Sequence, residues 1–277
     1  MSKPDGYLSQ IHLGSNGRLY GEHLSDGILL CRPWGTQEEM LINSQINHHI
    51  LLDKLITQTC QLPAGLTAED LSVYDRFQIF FHQRCISYPR PYDFSYRCSE
   101  CGEKASSRID LAQLEIRRLG TRTVLDRDLI PVRGEDGQVQ TESVDFSYPI
   151  QVDLPVSGKR VTWRYLTGAD EKRIERYEQR SKAKAVNSQG DVAYVYRLAL
   201  RFAEIDGEPA ELGAAMDLVT SLVGEDLMVL RESFDFNVHG LITEVEPVCN
   251  HCGFANGPFA LPFDASFFRP TRAARGY

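Results

Sequence analysis

The sequence predicts an α+β fold: a helical N-terminal region, then a β region closed by two distant cysteine pairs, with a β-then-helical insertion between them. Three observations predict it. Apolar residues recur at helical spacing through residues 36–60 and again through 67–86, and period-two alternation marks 144–150. Two C-x-x-C-Gly motifs, Cys98-Ser-Glu-Cys101-Gly102 and Cys249-Asn-His-Cys252-Gly253, stand inside strand-like sequence roughly 150 residues apart.

Residues 1–35 read as turns and short strands, with Gly14-Ser-Asn-Gly17 followed by Ile28-Leu-Leu-Cys31. Thr36 is placed to cap a helix running to about Cys60, with Glu39 three residues on, and Leu41, Ile42, Ile46, Ile50, Leu51, Leu55 and Ile56 form its apolar stripe. Pro63-Ala-Gly65 breaks the pattern. Thr67-Ala-Glu-Asp70 is expected to open a second helix carrying Leu71, Tyr74, Phe77, Ile79, Phe80 and Phe81, which stops at Tyr88-Pro-Arg-Pro-Tyr92.

Beyond the first cysteine pair, residues 107–170 read as β-rich. A turn is expected at 133–137, a strand over Val144–Ile150, and a hairpin turn at Ser157-Gly158 before Lys159–Tyr165. Thr167-Gly-Ala-Asp170 opens a helical stretch to about Asp235, broken near 187–190 and 206–209. Strand character returns over Leu241–Pro262. The expected division is therefore 1–90 as a mainly helical region, 91–120 with 240–277 as one β region, and 121–239 as the insertion.

Two cysteines three apart can place both thiolates on one cation if the chain turns sharply between them. A glycine after the second allows the positive φ that closes such a turn. Two such knuckles supply four thiolates, the closed tetrahedral shell of a structural zinc ion. Cys98, Cys101, Cys249 and Cys252 are thus the expected ligands of one zinc per chain, in a ribbon built as strand, knuckle, strand, twice. A self-contained ribbon separates its knuckles by about 15–20 residues, so here the metal would tie together the two ends of an inserted segment. A thioredoxin-like reading needs one C-x-x-C opening a helix in a βαβ setting, which neither pair has. His251, inside the second knuckle, is expected beside the shell or exposed. Cys31, Cys60 and Cys85 lack ligand spacing and read as small apolar core residues.

The chain has 277 residues and a formal net charge of −8, a balance that works against a nucleic-acid reader. No signal-peptide pattern opens Met1-Ser-Lys-Pro-Asp-Gly-Tyr7, and no apolar run approaches the roughly 20 residues a membrane span needs, so a reducing cytoplasm and no membrane partner are expected. No Gly-rich phosphate loop, G-x-S-x-G or H-E-x-x-H motif is present. His48-His49 points two ways from one helix, and His12, His23, His82 and His239 have no local acid or nucleophile pattern. A four-thiolate zinc has no open position for Lewis-acid chemistry. A non-enzymatic protein is expected, with no catalytic residue. The charge-mixed run 171–184 reads as a solvated helix face or a partner-binding helix. Phe267-Phe268 must fold back on the core or be covered by another chain.

The order of several short motifs resembles a known family. Gly14-Ser-Asn-Gly-Arg-Leu-Tyr20, Cys31-Arg-Pro33 before an acidic helix, Leu71-Ser-Val-Tyr-Asp-Arg76, the Ser87-Tyr88 step into the first C-x-x-C, and Leu261-Pro-Phe263 with Phe267-Phe-Arg-Pro270 after the second carry the likeness. Together they resemble the baseplate hub and hub-assembly proteins of T-even-type contractile phage tails. The resemblance implies a structural or assembly role without turnover, other tail and baseplate proteins as partners (tape-measure or hub proteins among them), and a multimeric assembly. It also implies a place in the host cytoplasm during assembly or in the virion tail, and leaves hub component and assembly factor both open. The alternative is a zinc-ribbon accessory protein that binds nucleic acid. That reading needs a basic face near the knuckles, whereas Glu100, Glu103, Glu244 and Glu246 flank them.

Overall fold

A computed structural model describes residues 8–44, 47–124, 132, 134, 140–184, 191, 193–263 and 267. The turn expected at 133–137, Gly134 apart, the break at 187–190, Phe268 and the basic residues 269–275 lie outside the described residues. The fold is α+β.

The N-terminal part pairs β1 (Ser9–His12) with β2 (Ile28–Cys31), antiparallel, and β2 with the two-residue edge strand β3 (Cys60–Gln61). The helix expected over 36–60 is two helices, α1 (Thr36–Ile42) and α2 (His48–Thr59). Ser44 Oγ donates to the Leu41 carbonyl at 2.6 Å as α1 ends, and Asn47 is extended at φ −61°, ψ 143° as α2 begins. The expected cap is one residue late: Gly35 is the N-cap, and its N–H donates to Glu38 Oε2 at 2.8 Å. Arg32 fixes Glu38 from the other side at 2.8 Å, so Glu38, not Glu39, closes the turn.

The next helix, α3 (Val73–Ser87), begins later than Thr67. Asp70 spends its carboxylate on the Thr67 N–H at 2.8 Å, making a separate turn, and Ser72 becomes the cap by accepting from the Asp75 N–H at 3.1 Å. After α3 come β4 (Pro91–Arg97) and β5 (Lys104–Asp110), one antiparallel hairpin, and the short strands β6 (Ile116–Arg117), β7 (Thr121–Thr123) and β8 (Thr141–Ser143). The strand expected over 144–150 starts only at its end, as β9 (Ile150–Asp153); Pro149 has no N–H to give a ladder.

Then follow β10 (Arg160–Trp163), α4 (Gly168–Lys184), α5 (Tyr194–Ala199), β11 (Phe202–Ile205), β12 (Glu208–Pro209), α6 (Leu212–Ser221) and α7 (Gly224–Phe236). Residues 170–235 are therefore not helical throughout. The break expected at 206–209 is a β-hairpin tip, where Asp206 (φ 53°) and Gly207 (φ 84°) turn β11 into β12. This hairpin completes an antiparallel sheet of order β12-β11-β10-β9, whose Val161, Trp163 and Phe202 pack with Ala215, Val219 and Leu230 of α6 and α7.

The insertion leaves and returns through one narrow neck. β6 pairs with β13 (Gly240–Leu241), Arg117 opposite Gly240 and Ile116 opposite Leu241, and the Ile242 N–H extends the contact to the Glu115 carbonyl at 2.9 Å. Gly14 presses on this neck so closely that a Cβ there would lie 2.3 Å from the Gly240 nitrogen. The last strands, β14 (Glu244–Val245) and β15 (Phe259–Ala260), form a second short hairpin.

Helix α3 reaches five apolar clusters, with Phe80 beside Trp34, Leu52 and Leu55 and Val73 beside Leu166 and Ile174. Ile79 joins Ile11, Leu13, Leu29 and Ile56; Tyr74 packs against the insertion's core; Phe81 packs with Tyr92, Phe94, Leu261 and Phe267. With apolar neighbours on most sides, its polar residues are buried and must find partners inside. Arg76 is fully buried and donates to Asp53 (2.5 Å), the Ala68 carbonyl (2.6 Å) and the His49 carbonyl (3.1 Å), with Glu171 at 3.2 Å. Lys172 pairs with Asp53 and with Glu69 at 2.7 Å, and Glu175 meets His49 at 2.9 Å. The start of the charge-mixed helix is thus docked on α2 and α3 rather than wholly solvated. Phe267 folds back: it is buried at 5.6 Å from Phe81 and 5.4 Å from Tyr92, and its carbonyl accepts from Arg84 Nε.

Candidate metal centre

Strand alternation builds the floor of this site. Along β4, Tyr92, Phe94 and Tyr96 point inward while Pro91, Asp93, Ser95 and Arg97 are exposed. Phe259 of β15 stacks on Phe94 at 5.8 Å, nearly parallel, and meets Tyr96 at the same distance. This aromatic contact lays the second hairpin against the first. Tyr92 Oη adds a hydrogen bond to the Pro262 carbonyl at 2.5 Å.

The knuckles at the ends of the two hairpins share one backbone pattern. In the first, the Cys98 N–H donates to the Glu103 carbonyl at 3.0 Å and the Gly102 N–H to the Cys98 carbonyl at 3.1 Å. In the second, Cys249 donates to Phe254 at 2.9 Å and Gly253 to Cys249 at 3.0 Å. Gly102 (φ 71°) and Gly253 (φ 75°) both lie in the left-handed region, as the sequence pattern requires. The leading cysteine of each pair, Cys98 and Cys249, is buried, and the trailing one, Cys101 and Cys252, is exposed.

The four sulfurs converge across the two knuckles. Cys98 Sγ lies 3.8 Å from Cys252 Sγ, Cys101 Sγ lies 3.8 Å from Cys249 Sγ, and the four ligand atoms all fall within 4.8 Å of one another. Four thiolates set tetrahedrally at ~2.3 Å from a cation would be about 3.8 Å apart. The group can hold a metal ion.

Charge makes the same case. N–H groups of Cys101, then Glu100, bring the Cys98 thiol down to about 6 against the burial that opposes them, which favours its thiolate. At Cys252 the Phe254 N–H also lowers the pKa, but burial and the neighbouring thiols of Cys249, Cys101 and Cys98 outweigh it and hold the group up at about 12. A cation among the four sulfurs would offset the mutual repulsion that resists ionisation of the set.

Two side chains fasten one knuckle to the other. Asn256, buried, accepts at Oδ1 from the Ser99 N–H (2.9 Å) and Ser99 Oγ (3.1 Å), and its amide donates to the carbonyls of Pro247 (3.2 Å) and Phe254 (3.3 Å). His251 Nε2 donates to the Lys104 carbonyl at 3.2 Å, and the His251 N–H points at Cys249 Sγ at 3.4 Å. The histidine is exposed and bridges the hairpins from beside the sulfurs. Nothing in the sequence marks Asn256 for this duty, since Asn256-Gly257 has the form of an ordinary turn. Around the site Glu100, Glu103, Glu244 and Glu246 are all exposed, an acidic rather than basic surround.

A second polar group escaped the sequence reading. His239 is fully buried, with Nε2 at 3.2 Å from Ser72 Oγ and 3.7 Å from Asp75 Oδ1, between the rings of Tyr74 (4.9 Å) and Tyr165 (4.7 Å). Tyr20 Oη donates to Asp75 at 2.6 Å and the Ser15 N–H to its other oxygen at 3.1 Å. The residue types resemble a hydrolytic set, but they are sealed from solvent and hold the start of α3 to the insertion's neck. His48 and His49 part as expected, one exposed and one buried. Cys31 and Cys60 are buried core residues as expected, and Cys85 is half-buried.

Residues 21–138 match the family model described as T4 bacteriophage base plate protein, a stretch that runs from the N-terminal sheet through the first knuckle. No curated protein matches the chain, and no solved structure does. The match supports a T4-type phage baseplate protein. Among the described residues no helix is long and apolar enough to cross a membrane.

Proposed function

We propose that this chain, whose residues 21–138 carry the T4-type baseplate pattern, is a non-enzymatic structural or assembly protein of a contractile tail baseplate or hub, held together by one structural zinc ion on Cys98, Cys101, Cys249 and Cys252. The observation that carries the zinc reading is the pair of matched knuckles with cross-pair sulfur separations of 3.8 Å. Four sulfurs in a tetrahedral set favour zinc or iron over the harder cations, and zinc adds no redox chemistry. Such an ion would close the β region, 91–120 with 240–277, around an insertion at 121–239, with 1–90 as the third unit. A closed four-thiolate shell serves rigidity, which a baseplate part needs in order to present fixed surfaces to neighbouring tail proteins.

Metal analysis by mass spectrometry on the purified protein tests the cofactor. One zinc per chain, released only as the protein unfolds, is the expected result; metal-free protein with all four thiols titratable overturns it. Co-expression with tail and baseplate proteins tests the role. Stable co-migration with baseplate intermediates is expected, and a chain that stays alone while the baseplate assembles normally without it overturns it.

A further inference from the structure

Cys31 of β2 and Cys60 of β3 face each other at one register position of the N-terminal sheet. Their Sγ atoms are 3.2 Å apart, and both residues are buried. Directly opposed antiparallel residues have Cα atoms about 4.5–5.5 Å apart, inside the roughly 4.4–6.8 Å span that a disulfide accepts. Bonding needs the sulfurs to close to about 2.05 Å, with no change of register.

The surroundings make the two sulfurs unequal. Trp34 Nε1, which can only donate, gives its hydrogen to Gln83 Oε1 at 3.1 Å. That fixes the amide so that Gln83 Nε2 donates to Cys60 Sγ at 3.2 Å and to Thr59 Oγ1. An N–H aimed at a sulfur favours its thiolate, so Cys60 is the sulfur prepared to ionise. Cys31 is held well above the usual thiol range, first by its hydrogen bond with Cys60 and then by burial, and keeps its proton.

We propose that Cys31 and Cys60 are a thiol–disulfide site, oxidised by a small-molecule disulfide to a cross-strand bond that closes the loop carrying α1 and α2. The Cys60 thiolate attacks one sulfur of the oxidant, forming a mixed disulfide and releasing the first thiolate. Cys31 then gives its proton to water and attacks Cys60 Sγ, which expels the second thiolate. Two protein thiols are oxidised and one external disulfide is reduced to two thiols. Access comes from the edge: β3 is two residues long and bonded on one side only, so its opening exposes Cys60 without unfolding α3. The site uses neither the knuckle cysteines nor any tail protein, so its failure would leave the baseplate and zinc reading as it stands.

The test is to incubate the full-length, metal-loaded protein with glutathione disulfide, block remaining thiols with iodoacetamide under denaturing conditions, and map peptides without reduction. A peptide pair joining Cys31 to Cys60 is expected, with unchanged metal content and a Tm raised by roughly 5–10 °C that dithiothreitol reverses. The proposal is overturned if both cysteines carry the alkyl group, if oxidation stops at a glutathione adduct on Cys60, or if only knuckle cysteines become linked. Gln83→Met should slow bond formation several-fold while leaving the linked product the same. An unchanged rate would remove Gln83 from the assignment of Cys60 as the attacking sulfur.

Discussion

Asn256 of the second knuckle reaches across to Ser99 of the first and accepts its backbone N–H at 2.9 Å, joining two turns 157 positions apart in the chain. The bond sits beside the sulfurs without touching them. It orients the loop that carries Cys98 and Cys101 while the Asn256 amide holds its own loop through Pro247 and Phe254. Replacing Asn256 by Ala leaves the Ser99 N–H and hydroxyl without their acceptor in a partly buried place, while the Pro247 and Phe254 carbonyls keep the backbone N–H groups of residue 256 and Cys249. A loss of about 1–3 kcal/mol is expected by chemical denaturation. Metal affinity should fall ~10-fold in a chelator competition. Unchanged affinity with full stability would show that the knuckles hold their geometry independently.

The knuckle cysteines and the half-buried Cys85 should behave oppositely. Cys101→Ser or Cys252→Ser removes one of the four proposed ligands and should abolish stoichiometric metal and cost on the order of 4 kcal/mol, with aggregation on purification. Cys85→Ala should retain the metal and cost about 1 kcal/mol, since this thiol, lifted to about 11 by burial and by the Asp110 charge against Arg84 and Arg90, lies apart from the knuckle sulfurs. Equal behaviour of the two classes in a thermal melt with metal analysis would refute the structural role given to the site.

Burial holds the His239 imidazole below its usual pKa, with Asp75 pulling the other way. The folded protein therefore favours the neutral ring more than the unfolded chain does. The stability this contributes is complete above the unfolded value, about 6.5, and is lost as pH falls through the lower folded value. His239→Phe, which keeps a ring between Tyr74 and Tyr165, should lose less stability than the parent between pH 7.5 and pH 5. Urea denaturation at both pH values measures the difference, and parallel losses would show that His239 does not titrate across folding.

Gly14 should tolerate no side chain. The neighbours a Cβ would strike are backbone atoms, Gly240 N at 2.3 Å and the Arg117 carbonyl at 2.9 Å, and neither can rotate away. Gly14→Ala should cost about 1–3 kcal/mol and loosen the neck, seen as faster hydrogen exchange at the Ile242 and Leu119 amides. Gly213→Ala, where nothing lies within 4 Å of the added atom, should be neutral or stabilising and serves as the control.

Several features were legible because they depend on neighbours in sequence. A knuckle is made by its own six residues, so two cysteines three apart and a glycine reveal the turn, the candidate ligands and the backbone bonds together. The strand-like sequence beside the first knuckle marked a strand for the same reason, and the Ser157-Gly158 turn a hairpin. Helix boundaries were misjudged where a local rule had two satisfactory answers. Glu38 and Glu39 both suit a capping turn, and Arg32 decides between them; Asp70 and Ser72 both suit a start, and α3 takes the later.

By itself the sequence pointed to the α+β character, to four cysteines able to meet on one ion and, within residues 21–138, to the likeness with T4-type baseplate proteins, because each is written in short-range pattern. Only the tertiary structure decided that Phe259 seats the second hairpin on Phe94, that Asn256 serves Ser99, that His239 lies under Ser72, and that Cys31 meets Cys60. Each of those pairs is brought together by the burial of apolar surface around α3, and burial is blind to sequence separation. The partners of a residue such as Asn256 are fixed by which backbone groups are left unsatisfied once the chain has closed, a quantity that exists only in the folded protein.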